Sequence, residues 1–165
     1  MNNINLLYGK IHVLNEVIFV VRDEIGFTYI GSPNEGENDI KNIFKNATFV
    51  TNDPWFNKLE KNFIDYFKGE KQALEVPIHL IGTTFQVAVW RVLDLIPYGK
   101  TWSYLDVAKA LGAPQKVRAV ANAIGKNKLF VRIPCHRVIG TDGKLHGYAG
   151  GVDLKERLLK LEKAI

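Results

Sequence analysis

The chain has 165 residues, 47% of them hydrophobic and 24% charged, which is typical of a globular protein of one or two small domains. Its longest strongly apolar run, residues 17–21, is far shorter than the ~20 residues that a membrane-spanning helix requires. The single cysteine excludes an internal disulfide and a multi-cysteine zinc site. Together with an amino terminus that lacks the layout of a signal peptide, it predicts a reduced, cytoplasmic protein.

The net charge of +5 is unevenly distributed along the chain. Residues 1–80 hold 8 Lys and Arg against 11 Asp and Glu, whereas residues 81–165 hold 14 against 6. Such asymmetry indicates that the second half meets a polyanion. Charge alone leaves open the alternative that the basic residues form an ordinary solvated surface.

The first half of the chain alternates short apolar segments with turns. We predict three strands, at residues 10–14, 17–21 and 27–30, and a hairpin turn at residues 23–26. Helical spacing begins at Ile40, and a stronger helix is predicted from Pro54 to Gly69. Residues 77–82, bracketed by Pro77 and Gly82, are predicted to be a linker. No pattern in this half indicates catalysis.

The second half begins with helices. An apolar stripe from Phe85 to Ile96 predicts one helix, and a capping box at residues 103–106 predicts a second that ends near Gly112. Pro114 is expected in the first turn of a third, whose apolar face is formed by Val117, Val120, Ala121 and Ile124. A short helix, a glycine-containing turn and another helix are the outline of a helix-turn-helix.

The outward face of the third helix is flat, with one long side chain at its centre. We assign to it Gln115, Arg118, Ala119, Asn122, Ala123 and Lys126. Readers of the major groove normally present several long polar side chains, so small residues around one arginine favour close approach to a minor groove. The alternative is a solvated face on which alanine simply favours the helix.

The only cysteine, Cys135, lies in an apolar run and is followed directly by His136 and Arg137. A free thiol with a pKa near ~8.5 is only a few per cent ionised at neutral pH, and a neighbouring imidazole or cation is the usual way to raise that fraction. A lone cysteine is more often a small buried hydrophobe, so the tripeptide by itself leaves both interpretations open.

Several ordered motifs together resemble one family, the O6-alkylguanine-DNA alkyltransferases, also called methylated-DNA–protein-cysteine methyltransferases. The matching residues are Pro134-Cys135-His136-Arg137-Val138, Phe85-Gln86, Ser103-Tyr104, Arg118-Ala119-Val120, Asn127, Gly147-Tyr148-Ala149-Gly150-Gly151 and Lys155-Glu156. The resemblance implies an α+β protein. A ribonuclease-H-like amino-terminal domain would span residues 1–76, and a winged helix-turn-helix domain would span residues 83–165 after the linker 77–82.

By that resemblance Cys135 is the nucleophile, which takes an alkyl group irreversibly from O6 of guanine. His136 would act as its base through a water molecule, and Glu156 would orient His136 and stabilise its charge. Asn127 would hold the turn between the third helix and the cysteine. Tyr104 would donate a proton toward N3 of the departing guanine and crowd the phosphate, so that the nucleotide rotates out of the duplex.

The family resemblance also implies the surfaces that meet the substrate. Arg118 would fill the vacated place in the base stack, with Tyr104, Ala119, Asn122 and Ala123 also against DNA. The substrate pocket would be lined by Phe130, Pro134, Val138, Tyr148 and Ala149. The expected partner is double-stranded DNA that contains O6-alkylguanine, with O4-alkylthymine also accepted. A monomer with no cofactor and no metal is expected.

The residues leave some alternatives. Alkyltransferase-like proteins bind the lesion without repairing it but lack the cysteine, and a Cys-His hydrolase would need an oxyanion hole that no motif indicates. For Glu156, a capping box with Asp153 is the structural alternative. Lys128, Phe130 and Arg132 depart from the family pattern and leave the accepted size of alkyl group open, and His146 receives no role.

Overall fold

Short apolar segments separated by turns near the start of the chain form the three predicted strands, β1 (Leu7–Val13), β2 (Glu16–Arg22) and β3 (Phe27–Ile30). Adjacent strands are antiparallel, and a short fourth strand, β4 (Thr48–Phe49), which we did not predict, runs parallel to β1. The sheet order is β3-β2-β1-β4. The structure, a computed structural model, describes residues 5–145, 147–148 and 150–165.

Two helices cover this sheet, α1 (Glu37–Ile43) and α2 (Pro54–Phe67). α2 begins as predicted at Pro54, because the side chain of Asp53 accepts a hydrogen bond from the backbone N–H of Trp55 at 2.9 Å. It packs against β1. Gly9 of β1 permits this approach, since a Cβ there would lie 2.7 Å from the ring of Phe56. Ile40 of α1 packs against Tyr8 and two further buried residues of the sheet.

The chain divides into two compact units between Leu80 and Ile81. Residues 77–79, which we predicted to be part of a linker, instead pair with β3: the N–H of Phe27 donates to Pro77 O at 2.9 Å, and the N–H of His79 donates to Phe27 O at 2.8 Å. His79 Nδ1 also lies 2.5 Å from Asp23 Oδ2. These residues therefore belong to the first unit.

The second unit consists of short helices joined by tight turns. Its elements are α3 (Thr84–Leu93), β5 (Trp102–Ser103), α4 (Tyr104–Ala110), a 3-10 turn (Pro114–Lys116), α5 (Val117–Gly125), a second 3-10 turn (Cys135–Arg137), β6 (Val138–Ile139) and α6 (Val152–Leu161). β5 pairs in parallel with β6. The capping box at Ser103 and Asp106 is confirmed, with hydrogen bonds of 2.8 and 3.0 Å. No helix in the described ranges is long and apolar enough to cross a membrane.

One alternative and one prediction in this unit are wrong. α6 begins at Val152 after Gly151, with no side-chain cap, so the capping box of Asp153 and Glu156, the alternative role of Glu156, does not form. Ala123 is buried rather than part of the outward face of α5, and its carbonyl accepts a 2.9 Å hydrogen bond from Trp90 Nε1. The reason is the helical phase: Val120 and Ala123 pack inward together with the residue after Ala123, at the i, i+3, i+4 spacing of one face.

Candidate active site around Cys135

Cys135 begins a tight turn between two well-packed segments. Its N–H donates to Ile133 O at 2.8 Å, and the N–H of Arg137 donates to Pro134 O at 3.0 Å. Cys135 is a free cysteine and is partly buried. The two residues that follow it, His136 and Arg137, are buried. The turn therefore leaves only the cysteine partly accessible and directs the next two side chains into the core.

Asn127 connects the end of α5 to this turn. Its Nδ2 donates to Ile133 O at 2.9 Å, and its Oδ1 accepts from the N–H of Leu129 at 3.0 Å. A hydrogen bond from the same side chain acts on the Cys135 thiol. One residue thus holds both ends of the loop before the cysteine, which is the location predicted for Asn127.

The carboxylate partner of His136 is Glu162, not Glu156. His136 Nε2 lies 2.8 Å from Glu162 Oε2, and both side chains are fully buried. Glu156 is 44% exposed and forms an ion pair of 3.1 Å with Lys160 on the surface of α6. The prediction that Glu156 orients His136 is therefore wrong. Successive residues of an α-helix point about 100° apart, so Glu156 points toward solvent although its neighbour Lys155 is buried.

The Glu162 carboxylate also pairs with Arg137, to which the sequence alone assigned no role. Arg137 Nε donates to Glu162 Oε1 at 2.7 Å, and its NH2 donates to Oε2 at 3.1 Å. A third donor of the guanidinium bonds Ile96 O at 2.7 Å. Lys155 and Glu162 are seven residues apart, which is two helical turns, and both are buried. This spacing identifies Glu162 only once the structure has shown that Lys155 is buried.

The hydrogen bonds determine the tautomer of His136. Burial lowers the pKa of the imidazole, against the opposing hydrogen bond and charge of Glu162, so the ring is neutral at neutral pH. With the single proton on Nε2, which donates to the carboxylate, the lone pair is on Nδ1. Nδ1 is buried and has no hydrogen-bond partner among the described residues. His136 can therefore accept a proton at Nδ1.

Burial raises the pKa of the Cys135 thiol, and this effect exceeds four opposing ones. Hydrogen bonds from the side chains of Asn127 and Tyr148 and the charge of Lys155 lower the pKa, as does a backbone hydrogen bond. Lys155 is itself buried, its Nζ donates to Val138 O, and burial lowers its pKa. The thiol of Cys135 is consequently protonated at rest, and a reaction through its thiolate would require a base.

Tyr104 and Arg118 lie together at an open cleft of about 520 Å³. The cleft is also lined by Ala121 of α5 and by the turn at residues 140–142. Burial, and then the charge of Cys135, raises the pKa of the Tyr104 phenol, so the hydroxyl keeps its proton and is electrostatically coupled to the thiol. The structure thereby brings Tyr104 close to both the cysteine and the proposed DNA-facing arginine.

The remaining residues singled out in the sequence differ in where they lie. Ala119 and Asn122 are exposed on α5, whereas Phe130, Pro134 and Val138 are buried beside the cysteine turn. Tyr148 contacts the thiol through its hydroxyl. Ala149 and His146 lie outside the described residues.

Comparison with known proteins supports the same chemistry. The family model for the 6-O-methylguanine DNA methyltransferase DNA binding domain matches residues 84–164. The inducible methylated-DNA–protein-cysteine methyltransferase of Bacillus subtilis is 36% identical over 162 residues, which are 95% of this chain and 90% of that protein. A methylated-DNA–protein-cysteine methyltransferase of Methanosarcina acetivorans is 41% identical over 145 residues, or 88% and 90% of the two chains.

Solved structures agree over almost the whole chain. The crystal structure of Mycobacterium tuberculosis OGT in complex with DNA superposes with a TM-score of 0.83 at 36% identity, covering 96% of this chain and 93% of that one. The O6-methylguanine DNA methyltransferase of Methanococcus jannaschii gives a TM-score of 0.70 at 27% identity, covering 93% and 92%. With its lone thiol, neutral histidine and buried carboxylate in place, the chain belongs to the 6-O-methylguanine DNA methyltransferase family.

Proposed function

We propose that this protein repairs alkylated DNA by direct reversal, moving the alkyl group from O6 of guanine, or O4 of thymine, onto Sγ of Cys135. The observation that carries the proposal is the juxtaposition of the only thiol with a neutral His136 whose Nδ1 lone pair is unpartnered. Alkyltransferase-like lesion binders lack the cysteine, so this residue disfavours that alternative. The intact mass after incubation with duplex DNA containing O6-methylguanine tests the proposal, because one permanent methyl group per protein is expected.

Proton removal is the first step. The Cys135 thiol is protonated at rest, since burial raises its pKa, and Nδ1 of His136 does not contact it directly. A water molecule between the two would carry the proton to Nδ1, and Glu162 would stabilise the resulting imidazolium through Nε2. Lys155 and the Asn127 side chain then stabilise the thiolate.

Displacement follows at the alkyl carbon. A bond forms between Sγ and that carbon while the bond from carbon to O6 breaks, and its electron pair passes into the guanine ring. Tyr104 donates its phenolic proton to N3, which neutralises the departing base. The phenol is protonated at neutral pH and therefore has a proton to give, although burial, by raising its pKa, makes it a weaker acid. The product is an S-alkylcysteine with no second thiol to relieve it.

Access to the base requires the nucleotide to leave the stack. The exposed face of α5 presents Arg118, Ala119 and Asn122, and Arg118 also lines the cleft beside Tyr104. Small side chains on this face permit close approach to the minor groove, where sequence readout is degenerate. A lesion enzyme must act in any sequence context, so this degeneracy suits it.

Arg118→Ala is expected to slow repair of a lesion in stable duplex more than repair of the same lesion in a mismatch or a single strand. The guanidinium fills the vacated place in the stack, and unpairing costs least where pairing is already weak. Single-turnover rates on the three substrates measure the difference. Equal losses on all three would reduce Arg118 to a phosphate contact.

Tyr104→Phe is expected to lower the rate on duplex DNA and also on the free base O6-benzylguanine, by roughly 10-fold or more, because the leaving base loses its proton donor. The free base needs no rotation out of DNA, so it isolates the proton transfer. A wild-type rate of the variant with the free base would restrict Tyr104 to base flipping.

The finer features of fold and assembly also belong to this proposal. A ribonuclease-H-like first unit is supported by the order β3-β2-β1-β4 with β4 parallel to β1, and a winged helix-turn-helix by α4, α5 and the pair β5 and β6. A monomer is proposed because one copy supplies thiol, base and DNA-facing helix. A single-use thiol must stay reduced, which favours the cytoplasm.

A further inference from the structure

The loop that ends at Cys135 has an unfavourable backbone conformation at its apex. Val131 has φ 64°, in the left-handed region that β-branched residues rarely adopt. The N–H of Arg132 donates to Phe130 O at 2.7 Å, which closes a three-residue turn around it, and the N–H of Ile133 donates to Leu129 O at 3.0 Å. A strained turn of this kind persists only where its surroundings hold it.

Arg132, next to this apex, forms an ion pair. Residues 129–131 and Ile133 are buried, whereas Arg132 projects a charged side chain from the same turn. Its NH1 donates to Asp94 Oδ1 at 3.0 Å, with the two side chains 21% and 44% exposed. The departure from the family pattern at Arg132 therefore has a specific partner on another element.

Asp94 is in an electrostatically unfavourable position for an acidic residue. It caps the C-terminus of α3, where the helix dipole disfavours negative charge. The preceding turn of α3 carries Trp90, whose indole bonds Ala123 O at the end of α5. α3 thus holds one end of the segment through Trp90 and its apex through Asp94.

The position of Arg132 is transmitted to the thiol by a single carbonyl. Ile133 O accepts both the Asn127 side chain at 2.9 Å and the N–H of Cys135 at 2.8 Å. This carbonyl belongs to the residue that follows Arg132, so a change in the backbone torsion angles of Arg132 would reorient it. Loss of either bond would move Sγ away from the Asn127 side chain.

We propose that Arg132 and Asp94 are positioning residues for alkyl transfer, whose ion pair keeps the strained turn at Val131 closed and thereby aims the thiol of Cys135. This inference rests on the proposed function of Cys135. Neither residue contacts the thiol; both act through the Ile133 carbonyl. The ion pair thereby makes the orientation of the Cys135 thiol depend on α3.

Asp94→Asn tests the proposal, with Glu156→Gln as a matched control. Each removes a carboxylate that is 44% exposed, from an ion pair of 3.0 Å in one case and 3.1 Å in the other. The substrate is the free base O6-benzylguanine, so contacts with DNA do not enter. Asp94→Asn is expected to lower the rate at saturating substrate by about 10-fold, the size of effect that misplaced reacting groups produce. Its melting temperature should change little, because loss of a partly exposed ion pair is offset by removal of the unfavourable charge at the helix end.

Two further measurements separate positioning from general stability. The pH profile of the reaction should shift for Asp94→Asn and not for the control, since the contact of Asn127 with the thiol weakens. The reversed pair Asp94→Arg with Arg132→Asp should recover the rate to within about threefold of the wild type. Equal rates for Asp94→Asn and the control, or a loss explained by unfolding, would each overturn the proposal. A wild type that forms no alkylcysteine with duplex DNA containing O6-methylguanine would instead refute the proposed function.

Discussion

Cys135→Ser is expected to abolish alkyl transfer while DNA binding is retained. Serine has nearly the same size and keeps the backbone bond to Ile133 O, but an alcohol is far less ionised than a thiol in the same buried surroundings. The protein has no other cysteine that could replace it. Intact mass after incubation with O6-methylguanine DNA should therefore stay that of the unmodified chain, whereas a gel-shift or anisotropy titration should give a wild-type dissociation constant.

The wild type provides the matching control for stoichiometry. It should take up one methyl group and then stop, because the thioether formed on Cys135 has no leaving group for a second exchange. Transfer by the serine variant would end the assignment of the nucleophile. More than one methyl group per protein would exclude a single-use mechanism, and loss of DNA binding in the variant would show that the thiol also supports the fold.

Glu162→Gln is expected to damage both stability and chemistry. The carboxylate accepts hydrogen bonds from His136 and Arg137 where all three side chains are almost completely buried. Removing one charge from such a cluster leaves Arg137 uncompensated and should cost about 3 kcal/mol of the free energy of unfolding. The pKa of His136 should fall further, because Glu162 raises it in the wild type, so the imidazole becomes a weaker base. Alkyl transfer should slow by roughly 10- to 100-fold.

The variant Glu156→Gln tests which carboxylate assists His136: Glu162, its partner in the structure, or Glu156, the residue that the family motif suggests. Glu156 belongs to an exposed i, i+4 pair with Lys160, so the free energy of unfolding should change by less than about 0.5 kcal/mol and the transfer rate should not change. Urea unfolding and single-turnover transfer at pH 7.5 measure both quantities for the two variants. If Glu156→Gln transferred the alkyl group slowly and Glu162→Gln did so at the wild-type rate, Glu156 rather than Glu162 would be the carboxylate that assists His136. If both variants resemble the wild type, neither carboxylate assists His136.

Much of the site could be predicted from local patterns. The strands β1, β2 and β3 follow from short apolar runs between turns, α2 from Pro54 and its four-residue repeat, and α4 from a capping box, because each depends on residues near one another in the chain. The ordered motifs around Cys135 indicated the family, which the comparisons confirm. Asn127 was also placed correctly, since its partners at Leu129 and Ile133 are only two and six residues away.

The partners across the fold required the tertiary structure. Glu156 and Glu162 differ in which side of α6 faces the core, and that phase depends on where the helix docks against the cysteine turn. Ala123 is buried for the same reason, because Trp90 of another helix covers it. The pair of Arg132 with Asp94 joins residues 38 apart in the chain, with no local pattern to connect them. Local propensity determines which segments form helices and strands. Which charged side chains are buried, and which helix faces pack together, depends on the tertiary contacts, and the order of residues along the chain does not specify these.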